Sequence, residues 1–247
     1  MVHNNWLERT ELLLGKKRLG ELKSSHVLVV GVGGVGGYAA EMLCRSGIGK
    51  LTIVDADTIH PSNINRQLPA LHSTIGQSKV ALLATRLKDI NPEAHIIALQ
   101  EFLKDERIIE LLDNNPFDFV VDAIDTISPK VFLIYHSLIR KIPIVSALGA
   151  GGKMDLSKIE ITDISKTYQC ALAKSVRKRL KDLGIVKGLP VVFSSEPVSK
   201  ESIVLVDNEP NKKSSAGTIA YLPTVFGCYM AQYVIANIKV SDSGSQL

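Results

Sequence analysis

Short apolar runs alternate with longer amphipathic segments up to residue 147. The apolar runs occupy positions 27–30, 51–54, 95–99, 117–121 and 142–147, and the segments with helical periodicity occupy 38–44, 79–90, 105–112 and 131–139. Short apolar, β-branched runs are typical of strands that are buried on both faces of a parallel sheet. Their alternation with helices predicts an α/β fold, a Rossmann-like and mostly parallel sheet with helices on both faces.

The pattern changes after residue 148. Residues 154–164 alternate, with Ile159, Ile161 and Ile164 at apolar positions, which predicts antiparallel strands that extend the sheet in the C-terminal half. Further short strands are predicted at 191–194 and 203–206, followed by a polar loop at 209–215. The segment from Pro223 to Ile238 is apolar nearly all round and predicts a long helix packed into the core or against a second subunit.

The length of 247 residues suits one large α/β domain. We predict a single domain over residues 1–247, with a nucleotide-binding core at 26–147. A substrate-side extension that includes the last helix follows at 148–238, and a polar tail at 241–247. Two short helices, separated at Gly15, are predicted to precede the core over residues 5–23.

Four glycines follow the first predicted strand and lead into a helix. They are Gly31, Gly33, Gly34 and Gly36, and the second strand ends on Asp55. This order of elements is that of a nucleotide-binding βαβ unit. Glycines let the backbone approach phosphates, and the helix that follows directs unpaired N–H groups at them. The pattern predicts a nucleotide site in which Asp55 binds the ribose, although the turn alone fits a dinucleotide as well as ATP.

The polar segment after the second strand carries further candidate ligands. They are Asn63, Asn65, Arg66 and Gln67, in a loop that Pro61 marks. Doubly wound sheets bind ligands at the carboxyl ends of their strands, which is where this loop begins. Lys79 falls in the first turn of the next helix, where a cation opposes the helix dipole. A contact with phosphate explains Lys79 better than a contribution to stability.

Two carboxylates, Asp122 and Asp125, follow the fourth strand. Their position beside the predicted phosphate site suits a divalent cation. The alternative is that one of them caps the helix that Ser128 and Pro129 open, which fits Asp122 better than Asp125.

The net charge of +4 permits an anionic partner without requiring one. The positive charge is concentrated in a predicted helix at 171–183, whose apolar stripe is Leu172, Val176, Leu180 and Leu183. Its basic residues are Lys174, Arg177, Lys178, Arg179 and Lys181, against Asp182 alone. A solvated helix face and a contact with a polyanion are both open. The aromatic share of 5% argues against an extended base-stacking surface.

Cys44, Cys170 and Cys228 lie far apart, with no CxxC pair. They supply neither a disulfide framework nor a four-cysteine zinc site, and a packing role is favoured for Cys170 and Cys228. The N-terminal segment lacks the apolar core of a signal peptide, and no apolar run approaches the roughly 18 residues of a spanning helix. We therefore expect a cytoplasmic protein without a membrane span.

Several motifs together resemble those of the ThiF/MoeB/HesA adenylyltransferases, the ubiquitin-activating-enzyme-like superfamily. They are GVGGVG at 31–36, VDAD at 54–57, SNINRQ at 62–67, GQSK at 76–79 and DAID at 122–125. The resemblance covers residues 12–238. Within the superfamily, DAIDTISPK at 122–130, the stretch at 142–167 and VVFSSE at 191–196 are most similar to the bacterial tRNA threonylcarbamoyladenosine dehydratases.

The resemblance implies ATP and Mg²⁺ as cofactors. The implied nucleotide-binding residues are Gly31, Gly33, Gly34, Gly36, Asp55, Asp57, Asn63, Arg66, Gln67 and Lys79. Arg66, Lys79 and Asp125 are the implied catalytic residues, the first two at the phosphates and Asp125, with Asp57, at the metal. An arginine of the N-terminal helix commonly reaches the partner subunit's ATP site in this superfamily, so Arg9 is a fourth candidate. A homodimer is implied with it.

By this resemblance, the enzyme adenylates the carboxylate of threonylcarbamoyladenosine in tRNA, and the activated carbonyl cyclises with loss of AMP. The basic helix would then contact tRNA. An alternative is activation of the C-terminal glycine of a sulfur-carrier or ubiquitin-like protein. The missing CxxC pairs count against it, and the absence of a cysteine at 211–217 counts against a thioester relay. The need for a sulfur-transfer protein partner stays open.

Two further hypotheses belong to other classes. An NAD-dependent oxidoreductase would use the glycine turn and Asp55 but would leave Arg66, Lys79 and Asp125 without roles. An inactive scaffold would not need the polar groups that the motifs carry.

Overall fold

The protein folds around one seven-stranded sheet in the order β3-β2-β1-β4-β5-β7-β6. The computed structural model describes residues 6–205 and 214–239. The strands of this sheet are β1 (His26–Val30), β2 (Lys50–Val54), β3 (His95–Leu99), β4 (Phe119–Asp122), β5 (Ile144–Ala147), β6 (Ile159–Asp163) and β7 (Pro190–Ser194). All neighbours pair in parallel except β6, which is antiparallel to β7. The predicted Rossmann-like α/β fold is confirmed.

Helices cover both faces of the sheet. They are α1 (Glu8–Leu14), α2 (Lys16–Ser24), α3 (Gly36–Arg45), α4 (Lys79–Ile90), α5 (Asp105–Asp113), α6 (Ile127–Ile139), α7 (Ala171–Asp182) and α8 (Tyr221–Asn237). One core cluster joins α3, α4 and α8 to one face, and the other joins α5, α6 and α7 to the opposite face. Strands β1, β4 and β7 supply both clusters from alternate residues, which explains their continuous apolar runs.

The C-terminal half extends the sheet with an antiparallel strand, as residues 154–164 predicted. This strand is β6 at the edge, whereas β7 is parallel to β5, because β6 first reverses the chain direction and β7 reverses it again after α7. A separate antiparallel hairpin joins β8 (Ile203–Leu205) to β9 (Ser214–Ala216). The predicted strand end at Val206, the part of the polar loop at 209–213 and the tail at 241–247 lie outside the described residues.

Helix α8 packs closely on α3. A Cβ added at Gly227 would lie 2.5 Å from the Val35 carbonyl oxygen and 2.9 Å from the Tyr38 Cβ, so the two helix backbones approach where only glycine fits. Leu222, Phe226 and Met230 are buried in the resulting interface. The last helix therefore packs into the core, as its apolar sequence predicted.

Helices α1 and α2 lie near the amino ends of the strands. The Gly49 N–H, just before β2, donates to the Leu22 carbonyl at 3.2 Å. A Cβ added at Gly47 would lie 3.1 Å from a methyl group of Leu7. The two helices thus cover the edge of the sheet opposite to the glycine turn, which follows the carboxyl end of β1.

Candidate functional site

In the turn between β1 and α3 the backbone segments lie so close together that a side chain would not fit at Gly31 or Gly36. Gly31 has a φ of 85°, and its Cβ would lie 2.7 Å from the Ala123 carbonyl oxygen. A Cβ on Gly36 would lie 1.8 Å from the carbonyl oxygen of Gly31. Helix α3 begins here without a side-chain cap. The turn therefore has the closely packed glycine backbone on which the predicted phosphate site depends, and the uncapped first turn of α3 begins beside it.

Asp55 ties the end of β2 to this turn. Its Oδ2 accepts a hydrogen bond from the Val32 N–H at 2.8 Å, and its Oδ1 accepts one from the Asp57 N–H at 2.9 Å. Burial raises the pKa of the carboxyl, and the Lys79 ammonium and these two N–H donors oppose that rise. Each carboxylate oxygen can accept a further hydrogen bond, so a ribose hydroxyl fits beside these contacts.

Lys79 is held at the same place by α4. Its side chain is 6% exposed, and its Nζ lies 2.7 Å from the Oδ2 of Asp57, whose side chain is 68% exposed. A backbone bond from Lys79 N–H to the Asp57 carbonyl, 3.2 Å long, and a bridge between Thr58 and Ser78 fix the pair. Lys79 is the first residue of α4, as predicted. The buried ammonium is paired with an exposed carboxylate, which an anionic ligand can replace as its partner.

The polar loop after β2 packs against the glycine turn. A Cβ on Gly34 would lie 3.3 Å from the Cγ of Arg66, and one on Gly33 would lie 3.5 Å from the Nε2 of Gln67. Burial lowers the pKa of the Arg66 guanidinium, and the charge of Asp125 opposes this. The structure thus brings Arg66 and Gln67 to the glycines and places the charge of Asp125 within reach of Arg66.

Two amides of this loop have different surroundings. Asn63 is buried, and its Oδ1 accepts a hydrogen bond from the His60 N–H at 3.0 Å, which closes a short 3-10 turn (Pro61–Asn63). Gln67 is also buried, and its Oε1 has no hydrogen-bond partner within the described part of the chain. A buried acceptor of this kind costs about 1–3 kcal/mol unless a ligand or water satisfies it.

Asp122 and Asp125 have separate roles in the structure. Asp122 is fully buried, with its Oδ2 2.7 Å from the Lys130 Nζ and 2.6 Å from the donating Ser146 hydroxyl. Helix α6 begins at Ile127 with Thr126 as N-cap and no side-chain cap, so the capping alternative for Asp122 is wrong. Asp125 is exposed at the end of the loop after β4. Of the two, Asp125 is the one with an exposed side chain.

The second half of the chain closes the site from the other side. Asn65 donates to the Thr218 carbonyl at 2.9 Å, and a Cβ on Gly34 would lie 3.4 Å from Pro223. The Gly152 N–H donates to the Gly217 carbonyl at 2.7 Å. The segment between β9 and α8 therefore joins the loop after β5 to the loop that carries Arg66.

Two of the five basic residues predicted on α7 make side-chain hydrogen bonds within the fold, and the other three face no such partner among the described residues. Arg177 donates to both the carbonyl and the hydroxyl of Thr167, and Arg179 donates to the Ser128 hydroxyl at 2.8 Å. Lys174, Lys178 and Lys181 are exposed. The buried stripe is Ala173, Val176 and Leu180. Leu183, predicted in that stripe, is 46% exposed because α7 ends at Asp182 and the chain turns away there.

Arg9 does not reach the glycine turn of its own chain. It is exposed on α1, at the edge of the sheet where the strands begin, whereas the glycine turn lies where β1 ends. A role for Arg9 in catalysis would need a second subunit.

Sequence reasoning missed two buried lysines. Lys130 is fully buried between Asp122 and the Ile124 carbonyl, to which its Nζ donates at 2.9 Å. Lys153 is 2% exposed and donates to the Ser194 carbonyl. Burial lowers the pKa of Lys153, against a smaller rise from Cys170 and Glu196. The sequence offers one sign that Lys130 is buried. The residue falls on the apolar side of α6, where a lysine needs a buried partner.

A model described as the ThiF family matches residues 7–245 of the chain. The chain belongs to the ThiF family. The resemblance drawn from the motifs is confirmed over almost the whole sequence.

Individual members of the ThiF family match over nearly their full length. The tRNA threonylcarbamoyladenosine dehydratase of Bacillus subtilis (strain 168) is 43% identical over 245 residues, 96% of this chain and 95% of that protein. The crystal structure of the Escherichia coli tRNA N6-threonylcarbamoyladenosine dehydratase in complex with ATP has a TM-score of 0.85 at 33% identity and covers 96% of each chain. Its complex with AMP has a TM-score of 0.84 at the same identity and coverage.

Among the described residues, none of the helices has the length and apolar character needed to cross a bilayer.

Proposed function

We propose that this ThiF-family chain is an ATP-dependent enzyme that adenylates the carboxylate of threonylcarbamoyladenosine in tRNA and promotes its cyclisation. The supporting observation is the full-length match to enzymes named for this dehydration, one of them solved with ATP and with AMP. The activation of a carrier protein's C-terminal glycine has no comparable support in this structure. A cytoplasmic location, where tRNA is available, belongs to the same proposal.

The residues of the site fit ATP. The turn from Gly31 to Gly36 leaves room for phosphates where side chains would collide, and the Nε2 of Gln67, an N–H donor, would lie 3.5 Å from a Cβ on Gly33. Arg66 and Lys79 supply positive charge to the α-, β- and γ-phosphates, while Asp55 accepts from the ribose hydroxyls. Asn63 adds its side-chain N–H groups, since its oxygen is already engaged by His60.

Two chemical steps follow from these assignments. The substrate carboxylate attacks the α-phosphate, a P–O bond breaks, and pyrophosphate leaves with its charge stabilised by Arg66 and Lys79. The acyl carbon then bears AMP as leaving group, and an internal nucleophile of the substrate displaces it to close the ring. One oxygen of the carboxylate departs on AMP, so the modified nucleoside loses the elements of water.

Mg²⁺ is proposed at Asp125, with Asp57 as a second ligand. Carboxylate oxygens beside phosphates suit this ion, which takes one or two carboxylates together with phosphate and water oxygens. The Lys79 ammonium lies 2.7 Å from the Oδ2 of Asp57 in this structure, so the Oδ1 of the exposed Asp57 side chain is the oxygen that would reach the ion. Among the described residues there is no cluster of three or more metal-binding side chains, which fits an ion held mainly by the nucleotide.

A homodimer is proposed from the surface around α1. Leu12 and Leu13 are 81% and 83% exposed, and Trp6 is 48% exposed. An apolar groove of about 490 Å³ continues this surface, lined by Leu14, Arg18, Met42, Cys228, Ala231, Gln232, Ile235 and Ala236. A contiguous apolar surface of this kind marks an interface. That the Arg9 of a second copy reaches this chain's site is the expectation from the family resemblance. The need for a sulfur-transfer protein stays open.

The deciding experiment measures AMP and pyrophosphate release from ATP–Mg²⁺ with tRNA that carries threonylcarbamoyladenosine, and the same tRNA without the modification. We expect release only with the modified tRNA, together with loss of one water from the nucleoside in mass spectra. Asp125→Asn should reduce turnover by at least about 100-fold with an unchanged melting temperature, because it removes a metal ligand without touching the core. AMP release that ignores the tRNA, or responds to a small carrier protein instead, would refute the proposal.

A further inference from the structure

The segment before α7 extends the positive surface of that helix. Between Ser165 and Lys181 the chain has six basic residues and no acidic ones. The basic residues are Lys166, Lys174, Arg177, Lys178, Arg179 and Lys181. Lys166 and the three lysines of α7 are exposed. A run with this charge and no internal counterion attracts an anionic partner.

Tyr168 presents an aromatic ring in the middle of this charged surface. The residue is 52% exposed, although its ring rests on the buried Phe193 with centroids 5.8 Å apart and planes at 72°. Contact with Phe193 in β7 anchors the ring while half of the residue's surface stays in solvent. The ring is therefore available to a planar partner.

The backbone around Tyr168 is held on both sides. Thr167, before it, is buried and accepts two hydrogen bonds from the Arg177 guanidinium. Gln169, after it, has a φ of 49°, which is rare for a residue other than glycine. Cys170 then caps α7 by accepting from the Ala173 N–H at 3.5 Å. An aromatic ring on such a fixed backbone loses little entropy when it binds a ligand.

The ring also lies near the carboxyl ends of the strands, which is the end of the sheet that carries the candidate active site. Phe193 is the penultimate residue of β7, and β7 runs parallel to the strands that end at the glycine turn and at Asp122. A Cβ on Gly149, just past β5, would lie 3.5 Å from the sulfur of Cys170. Tyr168 thus packs on β7, which is the second strand from β4 in the direction away from β1 and β2.

We propose that Tyr168 is a stacking platform for an unpaired RNA base close to the reacting nucleoside, with Lys166 and the exposed lysines of α7 binding the flanking phosphates. This inference rests on the proposed tRNA substrate and adds a recognition residue to it. Proteins read unpaired RNA by stacking bases on aromatic rings within a positive surface, and here one anchored ring lies beside such a surface. The low overall aromatic content fits a single platform.

Substitution at Tyr168 separates stacking from charge. Tyr168→Leu removes the ring, whereas Tyr168→Phe keeps it. We expect Tyr168→Leu to raise the KM for modified tRNA by about fivefold or more, with kcat, the KM for ATP and the salt dependence unchanged, and Tyr168→Phe to match the wild type. Phe102→Leu is the matched control: Phe102 is 53% exposed, but it follows β3 at the far end of the sheet. Equal KM values for the Leu and Phe variants of Tyr168 would overturn the platform.

A binding measurement keeps the inference testable if the enzyme acts on another substrate. Trp6 is the single tryptophan of the chain, so Tyr168→Trp in a Trp6→Phe background has one fluorophore at the platform. Quenching of this fluorescence by tRNA and by a short single-stranded RNA, but not by polyaspartate, is the expected result. Binding of RNA without quenching would refute stacking. If AMP release proves independent of tRNA while quenching persists, the proposed reaction fails and the RNA platform stands.

Discussion

Lys130 and Asp122 show how a single buried ion pair connects the candidate site to the core. Both side chains are fully buried, 2.7 Å apart, and the lysine also donates to the Ile124 carbonyl in the loop that leads to Asp125. Ser146 on the neighbouring strand donates to the same carboxylate. The pair therefore fixes the loop after β4, and through it the position of Asp125.

Lys130→Met should destabilise the fold by about 3–5 kcal/mol, because Asp122 would then be a buried charge without its partner. Urea unfolding at neutral pH measures this loss. Lys17→Met, on exposed α2, is the control and should change stability by less than about 0.5 kcal/mol. If Asp122→Asn combined with Lys130→Met is no more stable than Lys130→Met alone, the uncompensated charge is not the cause.

His26 makes stability depend on pH. Burial, together with the charge of Lys50, lowers its pKa from 6.5 to about 4, whereas the unfolded chain keeps the ordinary value. Between these two values the unfolded state binds more protons than the folded state, so stability is complete above pH 6.5 and falls as the pH drops towards 4. The contribution is at most about 3 kcal/mol.

Urea midpoints at pH 7 and pH 5 test this expectation. The wild type should lose stability between them, and His26→Gln should lose less because no imidazole remains to take up the proton. His72→Gln, at an exposed position, should follow the wild type. A pH response in His26→Gln equal to that of the wild type would assign the effect to other groups.

Among the elements, α7 shows how tertiary contacts divide a charged helix into two sets of residues. Arg177 and Arg179 hold neighbouring segments, whereas Lys174, Lys178 and Lys181 extend into solvent. The sequence predicted one basic surface with five equivalent members. Periodicity does not reveal which long side chains fold back onto Thr167 or Ser128, because those partners lie outside the helix.

Replacing Lys174, Lys178 and Lys181 together by alanine should weaken tRNA binding and reduce the slope of log affinity against log salt by about two to three. Filter binding over a range of salt concentrations gives both quantities. The control is the triple replacement of Lys16, Lys17 and Lys23, which makes the same change in charge at the opposite edge of the sheet. An equal change of slope in the two variants would show that total charge, and not α7, sets the affinity.

The sheet itself was predictable to within two residues at most strands, because each buried strand is a compact apolar run. The exception was the direction of β7. Its sequence is that of a buried strand whichever way it pairs, and β7 is parallel to β5 because the chain reverses at β6 and again after α7.

For the whole molecule, the separation of Arg9 from the glycine turn is the main consequence of the fold. In the proposed dimer, Arg9 would act at the site across the interface. Arg9→Ala and Lys79→Ala should each be inactive alone, while mixed dimers of the two should regain about a quarter of wild-type AMP release, since half of the dimers then hold one complete site. Leu13→Glu should give monomers of unchanged fold, measured by light scattering.

A mixture of the Arg9 and Lys79 variants no more active than its components would contradict a shared site. It would leave Arg9 as a surface residue of α1. A Leu13→Glu protein that stays dimeric would place the interface elsewhere on the molecule.

The sequence by itself determined the order of elements, the glycine turn and the polar residues at the ends of β2, α4 and β4, because local spacing is sufficient for each. It also determined the family, since five motifs had to occur in one order. Only the tertiary structure decided that Asp122 is a buried partner of Lys130, that Asp57 pairs with Lys79, and that Arg9 lies at the far edge. These are contacts between residues distant in the chain, and their geometry depends on how the sheet and helices pack.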